Sequence, residues 1–313
     1  MPKHLFAVQE WADKHEATSH LSTRTCALTV SRRGRTAHLA PRFVKKQGDS
    51  LGYSRQWEAD SGFTGWVLPD APSWPEAQDK IIFKRLCIAQ GLRVPAGWNS
   101  GTALAPSLIV KNQRGSFGAG IDGPFFAAHA PELTRSGDYF EAFVVGKSAK
   151  AWCWNAEVFA LEVLEQPYLL GDGVTTLQTL AQTVRGSNDT GIDLTAALPY
   201  LAWQGFAPDS IVAVSQKVYL SFKYADSYQR MQGQHVDVWA ATQTPVKDQF
   251  ILAVAALFAA LPQAAGSNPR LLYTLDAVID ADQQVWFLEM NSHPMGHPGL
   301  YAPMLSSLLG VVA

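Results

Sequence analysis

The stretch from Thr274 to Gly296, TLDAVIDADQQVWFLEMNSHPMG, decides how the chain is read. Two apolar runs, Leu271 to Ile279 and Val285 to Met290, flank the polar turn Asp280-Ala281-Asp282-Gln283-Gln284, the signature of a β-hairpin. Residues i and i+2 of a strand share a face, so Glu289 and Asn291 point one way. Trp286, Leu288 and Met290 are expected to point the other way, into apolar packing. Closing the turn brings Asp276 within about one register step of Glu289. Two carboxylates and an amide oxygen then converge, a hard-oxygen set that suits Mg²⁺ completed by water and phosphate. Taken alone, the commoner reading of such residues is a solvated hairpin.

Upstream, Ser107 to Lys111 (SLIVK) reads as a short buried strand running into the glycine-rich loop Arg114-Gly115-Ser116-Phe117-Gly118-Ala119-Gly120. Glycines let backbone N–H groups approach phosphate oxygens, and a lysine at the loop mouth adds a point charge. The spacing is neither a Walker loop nor a dinucleotide fingerprint, and a plain hairpin tip explains it equally well. Asp79 to Gln90 has the spacing of an amphipathic helix stopped at Gly91. It carries Lys80 near its start, where a lysine is usually solvated. Strands are expected at Cys26–Val30, Tyr139–Val145, Glu157–Leu164 and Ser215–Phe222, and helices at Thr175–Thr183 and Gln249–Leu261. Hairpins outnumber β-α-β units, so the fold class is α+β.

Composition narrows the field. Of 313 residues, 25 are Lys or Arg and 27 are Asp or Glu, a net charge of −2 with no basic stripe, which argues against extended nucleic-acid binding. The 47% hydrophobic content supplies a packed core and argues against disorder. Cys26, Cys87 and Cys153 are odd in number and in no ligand spacing, as expected of reduced thiols in a cytoplasmic protein. No secretory leader is read at residues 1–18, and the apolar run Phe250–Leu261 is too short for a membrane span. His293 and His297 sit among prolines and a glycine that oppose a zinc-binding helix, so they read as loop residues on a substrate side or as turn polars. Glu157, Glu162 and Glu165 read as solvated acids. The proline-rich run Leu68 to Pro75 is the best candidate linker.

Four segments in one order, QDKIIFKRLCIAQGLRVPAGW (78–98), SLIVKNQRGSFGAGI (107–121), YFEAFVVGK (139–147) and the hairpin 274–296, resemble the ATP-grasp superfamily. Within it, LLGDGVTTLQTLAQTV (169–184) is similar to the GDG-containing segment of cyanophycin synthetase and bifunctional glutathione synthetases, and VSQKVYLSFKYADSY (214–228) loosely resembles the next strand and loop of those enzymes. The D-alanine–D-alanine ligases are a more distant likeness. The resemblance implies an ATP-grasp fold of two α+β lobes clasping ATP, behind a short N-terminal α/β region. The boundaries expected are 1–75 for that region, 76–145 for the small lobe with its phosphate loop, and 146–313 for the large lobe with the metal hairpin.

By the same resemblance, Lys80 and Lys111 contact the ATP phosphates, the loop of Gly115, Ser116, Gly118 and Gly120 closes over them, and Glu141, Phe143 and Val144 hold the adenine. Asp276, Glu289 and Asn291 hold one or two Mg²⁺, with Mn²⁺ able to substitute. Lys111 would also serve catalysis. The implied activity is ATP-dependent carboxylate–amine ligation of an amino acid or peptide through an acyl phosphate, on small-molecule substrates, without nucleic acid or membrane; homodimers are common among such ligases. Relatives often carry an acid for the ribose where Ser148 stands, and an arginine for the acyl phosphate where only Lys223 and Arg230 are near. A small-molecule kinase and a non-catalytic nucleotide-binding module are the alternatives left by these departures. Arg114 reads either as an extra phosphate ligand or as a surface charge.

Overall fold

A computed structural model describes residues 1–47, 50–70, 73–100, 103–115, 120–184, 191–224, 228, 237–262, 270–292 and 294–311. The N-terminal part comprises α1 (Pro2–Lys14), β1 (Thr18–Leu21), β2 (Leu28–Arg32), β3 (Arg35–Gln47), β4 (Ser50–Ser54) and β5 (Gly62–Val67). Next come α2 (Lys80–Ala89), β6 (Gly97–Trp98), β7 (Ser107–Asn112), β8 (Ile121–Phe126) and β9 (Asp138–Ala142). Then come β10 (Lys147–Trp154), β11 (Glu157–Leu164), β12 (Tyr168–Leu170), α3 (Leu177–Thr183), α4 (Leu198–Trp203) and β13 (Lys217–Tyr219). The chain ends with α5 (Thr244–Ala260), β14 (Leu272–Ile279), β15 (Val285–Asn291) and α6 (Tyr301–Leu309). The fold class is α+β: all strand pairs among the described residues are antiparallel.

The central sheet has the order β11-β10-β14-β15. One face is apolar: Ala149, Ala151, Leu161, Tyr273, Leu275, Ala277, Val285 and Phe287 pack against Phe83 and Cys87 of α2 and Phe250, Val254 and Leu257 of α5. Asp79 starts α2 by accepting the backbone N–H groups of Ile81 (2.9 Å) and Ile82 (3.1 Å), which satisfies two otherwise orphaned donors. Gly91, at φ +70°, lets the chain turn away after it. The helix expected from Gln249 starts earlier, at Thr244, with Pro245 in its first turn, where a missing N–H costs nothing.

A β-bulge corrects the expected alternation on β15. Asp276 pairs with Glu289, but its neighbour Ala277 pairs with Phe287, so Leu288 is the extra residue. Val285, Phe287 and Met290 therefore face the core, while Trp286 and Leu288, expected there, are half-buried on the other side. Trp286 donates its indole N–H to Asp280 (2.7 Å).

A second four-stranded sheet, β6-β9-β7-β8, carries the loop that begins at Gln113. A small third core under β12 and β13 gathers Leu177, Ala181, Leu194, Leu201 and Val218. The strand expected over residues 215–222 is only β13.

The N-terminal region is a helix and five antiparallel strands, of which only one, near β2, is expected from the sequence. It shares its core with the other end of the chain: Val8, Trp11, Leu28, Val30 and Trp66 pack with Leu300, Tyr301, Met304 and Leu305. The Tyr301 hydroxyl accepts the Trp66 backbone N–H (3.0 Å) and lies 3.0 Å from His4 Nδ1. The proline-rich connection is pinned as well, since Trp74 is buried and its indole N–H points at Met290 Sδ (3.2 Å). No helix among the described residues is long and apolar enough to cross a membrane.

Burial, with Lys3 and the N-terminus nearby, pushes the His4 pKa down to about 4 from 6.5. Folded His4 stays neutral where the unfolded chain binds a proton, so its stabilisation is full above about pH 6.5 and is lost as pH falls towards 4. The urea midpoint of the wild type is expected to drop between pH 7 and pH 5 by more than that of His4→Gln; parallel drops would contradict this assignment.

Candidate active site

The open face of the central sheet carries a row of charges, one from each strand. Lys150 on β10 is the cross-strand partner of both Glu162 on β11 and Asp276 on β14, and Asp276 pairs with Glu289 on β15. Paired residues project to the same side, so all four face away from the apolar core. They line a cavity of about 1170 Å³ bounded by α2, β7, the 294–298 segment and residues of β4 and β5.

Asp276 and Glu289 converge as the hairpin spacing anticipates. The Asn291 amide nitrogen lies 3.1 Å from Asp276 Oδ2 and 3.4 Å from Glu289 Oε1. Lys150 Nζ is 2.7 Å from Asp276 Oδ1, and Lys80 Nζ is 2.8 Å from Glu289 Oε2. Burial, reinforced by Glu289 and opposed by Lys150, pushes the Asp276 carboxyl up to about 6. Burial acts on Glu289 in the same direction, but Lys80 and Lys111 outweigh it and hold this carboxyl at about 2. Two half-buried carboxylates that crowd one amide repel each other, and a divalent cation between them would relieve that repulsion. Turning the Asn291 amide exposes its oxygen as a third hard donor. Among the described residues there is no cluster of three His, Cys, Asp or Glu. The set therefore fits Mg²⁺, which takes few protein ligands, better than a closed protein cage.

The lysines expected at the site converge too. Lys80 is buried rather than solvated, because the Asp79 cap points α2 at the glycine-rich loop; its ammonium also donates to the Gly115 carbonyl, and its backbone N–H to Gln113 (3.0 Å). Lys111 Nζ lies 3.1 Å from Glu141 Oε1. Lys84, which the sequence alone does not single out, lies 2.9 Å from Glu141 Oε2 although it stands one helical turn after Lys80. The Tyr139 hydroxyl donates to the same carboxylate (3.0 Å). Burial raises the Glu141 pKa, but Lys111 and Lys84 more than compensate and keep it below the usual range. The Glu141 carboxylate, 1% exposed, is thus committed to the two lysines and Tyr139.

Phe143, Val144 and Ser148 line the cavity, as does Lys223. The Phe143 backbone N–H is already donated to Ser107 O (3.0 Å), which leaves its carbonyl, and its ring packs on Tyr200, Trp203 and Phe222. Gly120, at φ +72°, gives its carbonyl to the Asn112 N–H (3.1 Å). Ser116, Gly118, Arg230 and His293 lie outside the described residues. The exposed Arg114 stands 3.7 Å from Asp79.

One expectation for the three acids is corrected, and the reading of His297 as a turn residue holds. Glu162 is buried, not solvated, and accepts the Tyr224 hydroxyl (2.6 Å), whereas Glu157 is exposed and Glu165 pairs with Lys217 (2.5 Å). His297 caps the turn at Pro298–Leu300 by accepting the Gly299 N–H (3.0 Å) and packs against Trp152, 5.1 Å between ring centres. Lys150 and Glu162 were legible in principle: Ser148, Lys150 and Trp152 alternate along an otherwise small and apolar strand.

No family model and no curated protein matches the chain. Among solved structures it is similar to a bifunctional glutathione synthetase from Pasteurella multocida, at 16% identity and a TM-score of 0.46, over 99% of this chain and 43% of that one. It is also similar to a D-alanine–D-alanine ligase from Bacillus anthracis (11% identity, TM-score 0.38, 75% of this chain and 67% of that one). An L-amino acid ligase from Bacillus licheniformis matches at 12% identity and a TM-score of 0.35, over 75% of this chain and 46% of that one. The chain thus spans less than half the length of two of these three.

Removing the charge of Glu141 leaves two buried ammonium groups facing each other. Glu141→Gln is expected to lose about 3–5 kcal/mol of unfolding free energy in urea, part of it regained on adding Lys84→Met. A loss below about 1 kcal/mol would contradict the buried network.

Proposed function

We propose that the chain is an ATP- and Mg²⁺-dependent carboxylate–amine ligase that acts on an amino acid or small peptide through an acyl phosphate. The observation that carries this is the meeting of Lys80, Lys111, Lys150 and the Asp276–Glu289–Asn291 set in one cavity. Residues 1–75 form its N-terminal region, 76–145 the small lobe and 146–313 the large lobe.

Bound there, Mg²⁺–ATP supplies a transferable phosphoryl group that activates a carboxylate for attack by an amine. A carboxylate and a triphosphate repel, so the chain must bring cations. Lys80 and Lys111 neutralise phosphate oxygens, held in place by Glu289 and Glu141 respectively. Asp276, Glu289 and Asn291 hold the metal. Gly115, Ser116, Gly118 and Gly120 are the residues proposed to bind the phosphates, as the resemblance implies. The Phe143 carbonyl and the Val144 backbone read the adenine, while Ser148 faces the ribose. Lys223 and Arg230 are the cations proposed to steady the acyl phosphate. No side chain has to act as a covalent nucleophile: Cys87 and Cys153 are buried, and burial raises the Cys87 thiol to about 12. The three unpaired cysteines suit a cytoplasmic setting.

ADP release measured with Mg²⁺ and a panel of amino acids, with and without hydroxylamine, tests the reading. ADP together with a hydroxamate is expected; ADP with a stable phosphoester instead would mark a kinase. Glu289→Ala is expected to keep its circular dichroism spectrum and to lose turnover by roughly a hundredfold or more. Near-normal turnover in that variant would refute the metal assignment.

A further inference from the structure

Thr274 stands two residues before Asp276 on β14 and on the same face of the sheet, with Trp152 of β10 and Asn291 of β15 as its cross-strand partners. It lines the cavity and is 0% exposed, yet its hydroxyl has no hydrogen-bond partner among the described residues. Native proteins rarely leave a buried hydroxyl so, because the group gives up its bonds to water and gains nothing in return. From Thr274 the cavity wall continues through Trp152, Met295 and His297 to Phe63 and His4 of the N-terminal region. We infer that this end of the cavity is a subsite for a monocarboxylic acid with an apolar body: the Thr274 hydroxyl donates to one carboxylate oxygen, and the body lies along the N-terminal wall. That this acid is the phosphoryl acceptor rests on the ligase reading; that the chamber binds such an acid does not.

Position, surface and charge each support it. Two residues along a strand span about 7 Å, so a carboxylate held by Thr274 has its other oxygen free to approach a phosphoryl group carried by a metal at Asp276 and Glu289. In the transfer that oxygen bonds to the γ-phosphorus, the bond from phosphorus to the ADP oxygen breaks with its electron pair leaving on ADP, and Thr274 keeps its proton throughout. The wall beyond is apolar and partly uncovered: Leu51 and Met295, 48% and 44% exposed, line the cavity together with Phe63 and Pro294, and an apolar body removes that surface from water. Trp152 is fixed there by donating its indole N–H to Met295 O (2.9 Å) and by packing on His297. Burial lowers the pKa of His4 and of His297, so both imidazoles are neutral at neutral pH. Glu162 lies close enough to His297 to act on it, so a second carboxylate on the ligand would meet an acid on that side. Exposed Lys3 is the cation that the N-terminal region adds to the lining.

The test titrates 3-phenylpropionate, 3-phenylpropanol and succinate calorimetrically into the wild type, Thr274→Val and Thr274→Ser, with Mg²⁺ and a non-hydrolysable ATP analogue present. The wild type is expected to bind 3-phenylpropionate more tightly than the alcohol or the diacid. Thr274→Val, which removes the hydroxyl at nearly constant size, is expected to lose about tenfold in affinity for that acid, while Thr274→Ser stays within about threefold of the wild type. Because the hydroxyl has no partner in the protein, the urea midpoint of Thr274→Val is expected to equal or exceed that of the wild type; a clear drop would reveal a structural role and overturn the subsite. Equal affinity of the acid for the wild type and Thr274→Val, no preference over the alcohol, tighter binding of succinate, or no binding of the acid would each overturn it too. If the analogue fails to bind the wild type while the acid pattern persists with Mg²⁺ alone, the ligase reading falls and the subsite stands.

Discussion

Lys80, Lys111 and Lys150 line one cavity with Glu141, Asp276 and Glu289, and Lys84 lies behind it against Glu141, so that each set keeps the other charged. An isolated ion loses several kcal/mol on leaving water, so each buried charge must be met by an opposite one at contact distance. Lys84 and Lys111 meet Glu141, Lys80 meets Glu289, and Lys150 meets Asp276. The pairing is what the surrounding elements are arranged to deliver. The Asp79 cap aims α2 so that Lys80 and Lys84 enter from one side, and the register of the central sheet lines up Lys150, Asp276 and Glu289 on the other. Such a network gives little net stability over an apolar core. What it provides is a set of cations fixed in position beforehand, so that little reorganisation would be needed to meet an anion.

The apolar cores hold this cavity shut from behind. One face of the central sheet is sealed by α2 and α5, which leaves the charged face open to ligand. The N-terminal sheet packs on α6, and its β3 and β5 reach the cavity rim: the Gly296 N–H donates to Thr64 O on β5 (2.8 Å) and Arg42 on β3 donates to Pro294 O (2.7 Å). At this contact a Cβ on Gly65 would come within 3.0 Å of Gly296, and one on Gly296 within 2.9 Å of Thr64 O, so both positions require glycine for the two segments to touch. The region that was least legible in sequence thus forms one wall of the cavity, through Leu51, Tyr53, Phe63 and Thr64.

The hairpin of β14 and β15, α2 and the strand entering the glycine-rich loop were readable because each combines a clean periodicity with a punctuating cap, turn or glycine. The convergence of Asp276, Glu289 and Asn291 came from strand geometry and a short turn. What was not readable depends on partners distant in sequence. Lys80 looked like a solvated helix-start lysine because Glu289, its counter-charge, is about two hundred residues away; Glu162 looked solvated because Tyr224 is distant too. The bulge at Leu288 reversed the facing of Trp286 and Leu288, and because residues 285–288 are all apolar no alternation was there to show the shift. The N-terminal strands escaped notice because polar and charged residues are interleaved through β3 and β4, and the apolar remainder is covered by α1 and by the distant α6.

The central claim is that the Asp276–Glu289 hairpin holds a divalent cation together with nucleotide phosphates. Mn²⁺ is a paramagnetic probe of that site, and its free signal can be followed by electron paramagnetic resonance as it is titrated into protein saturated with a non-hydrolysable ATP analogue. Tight Mn²⁺ binding that depends on the nucleotide, weakened at least tenfold in Asp276→Asn, is the expected result. Mn²⁺ binding indifferent to that substitution would contradict the account.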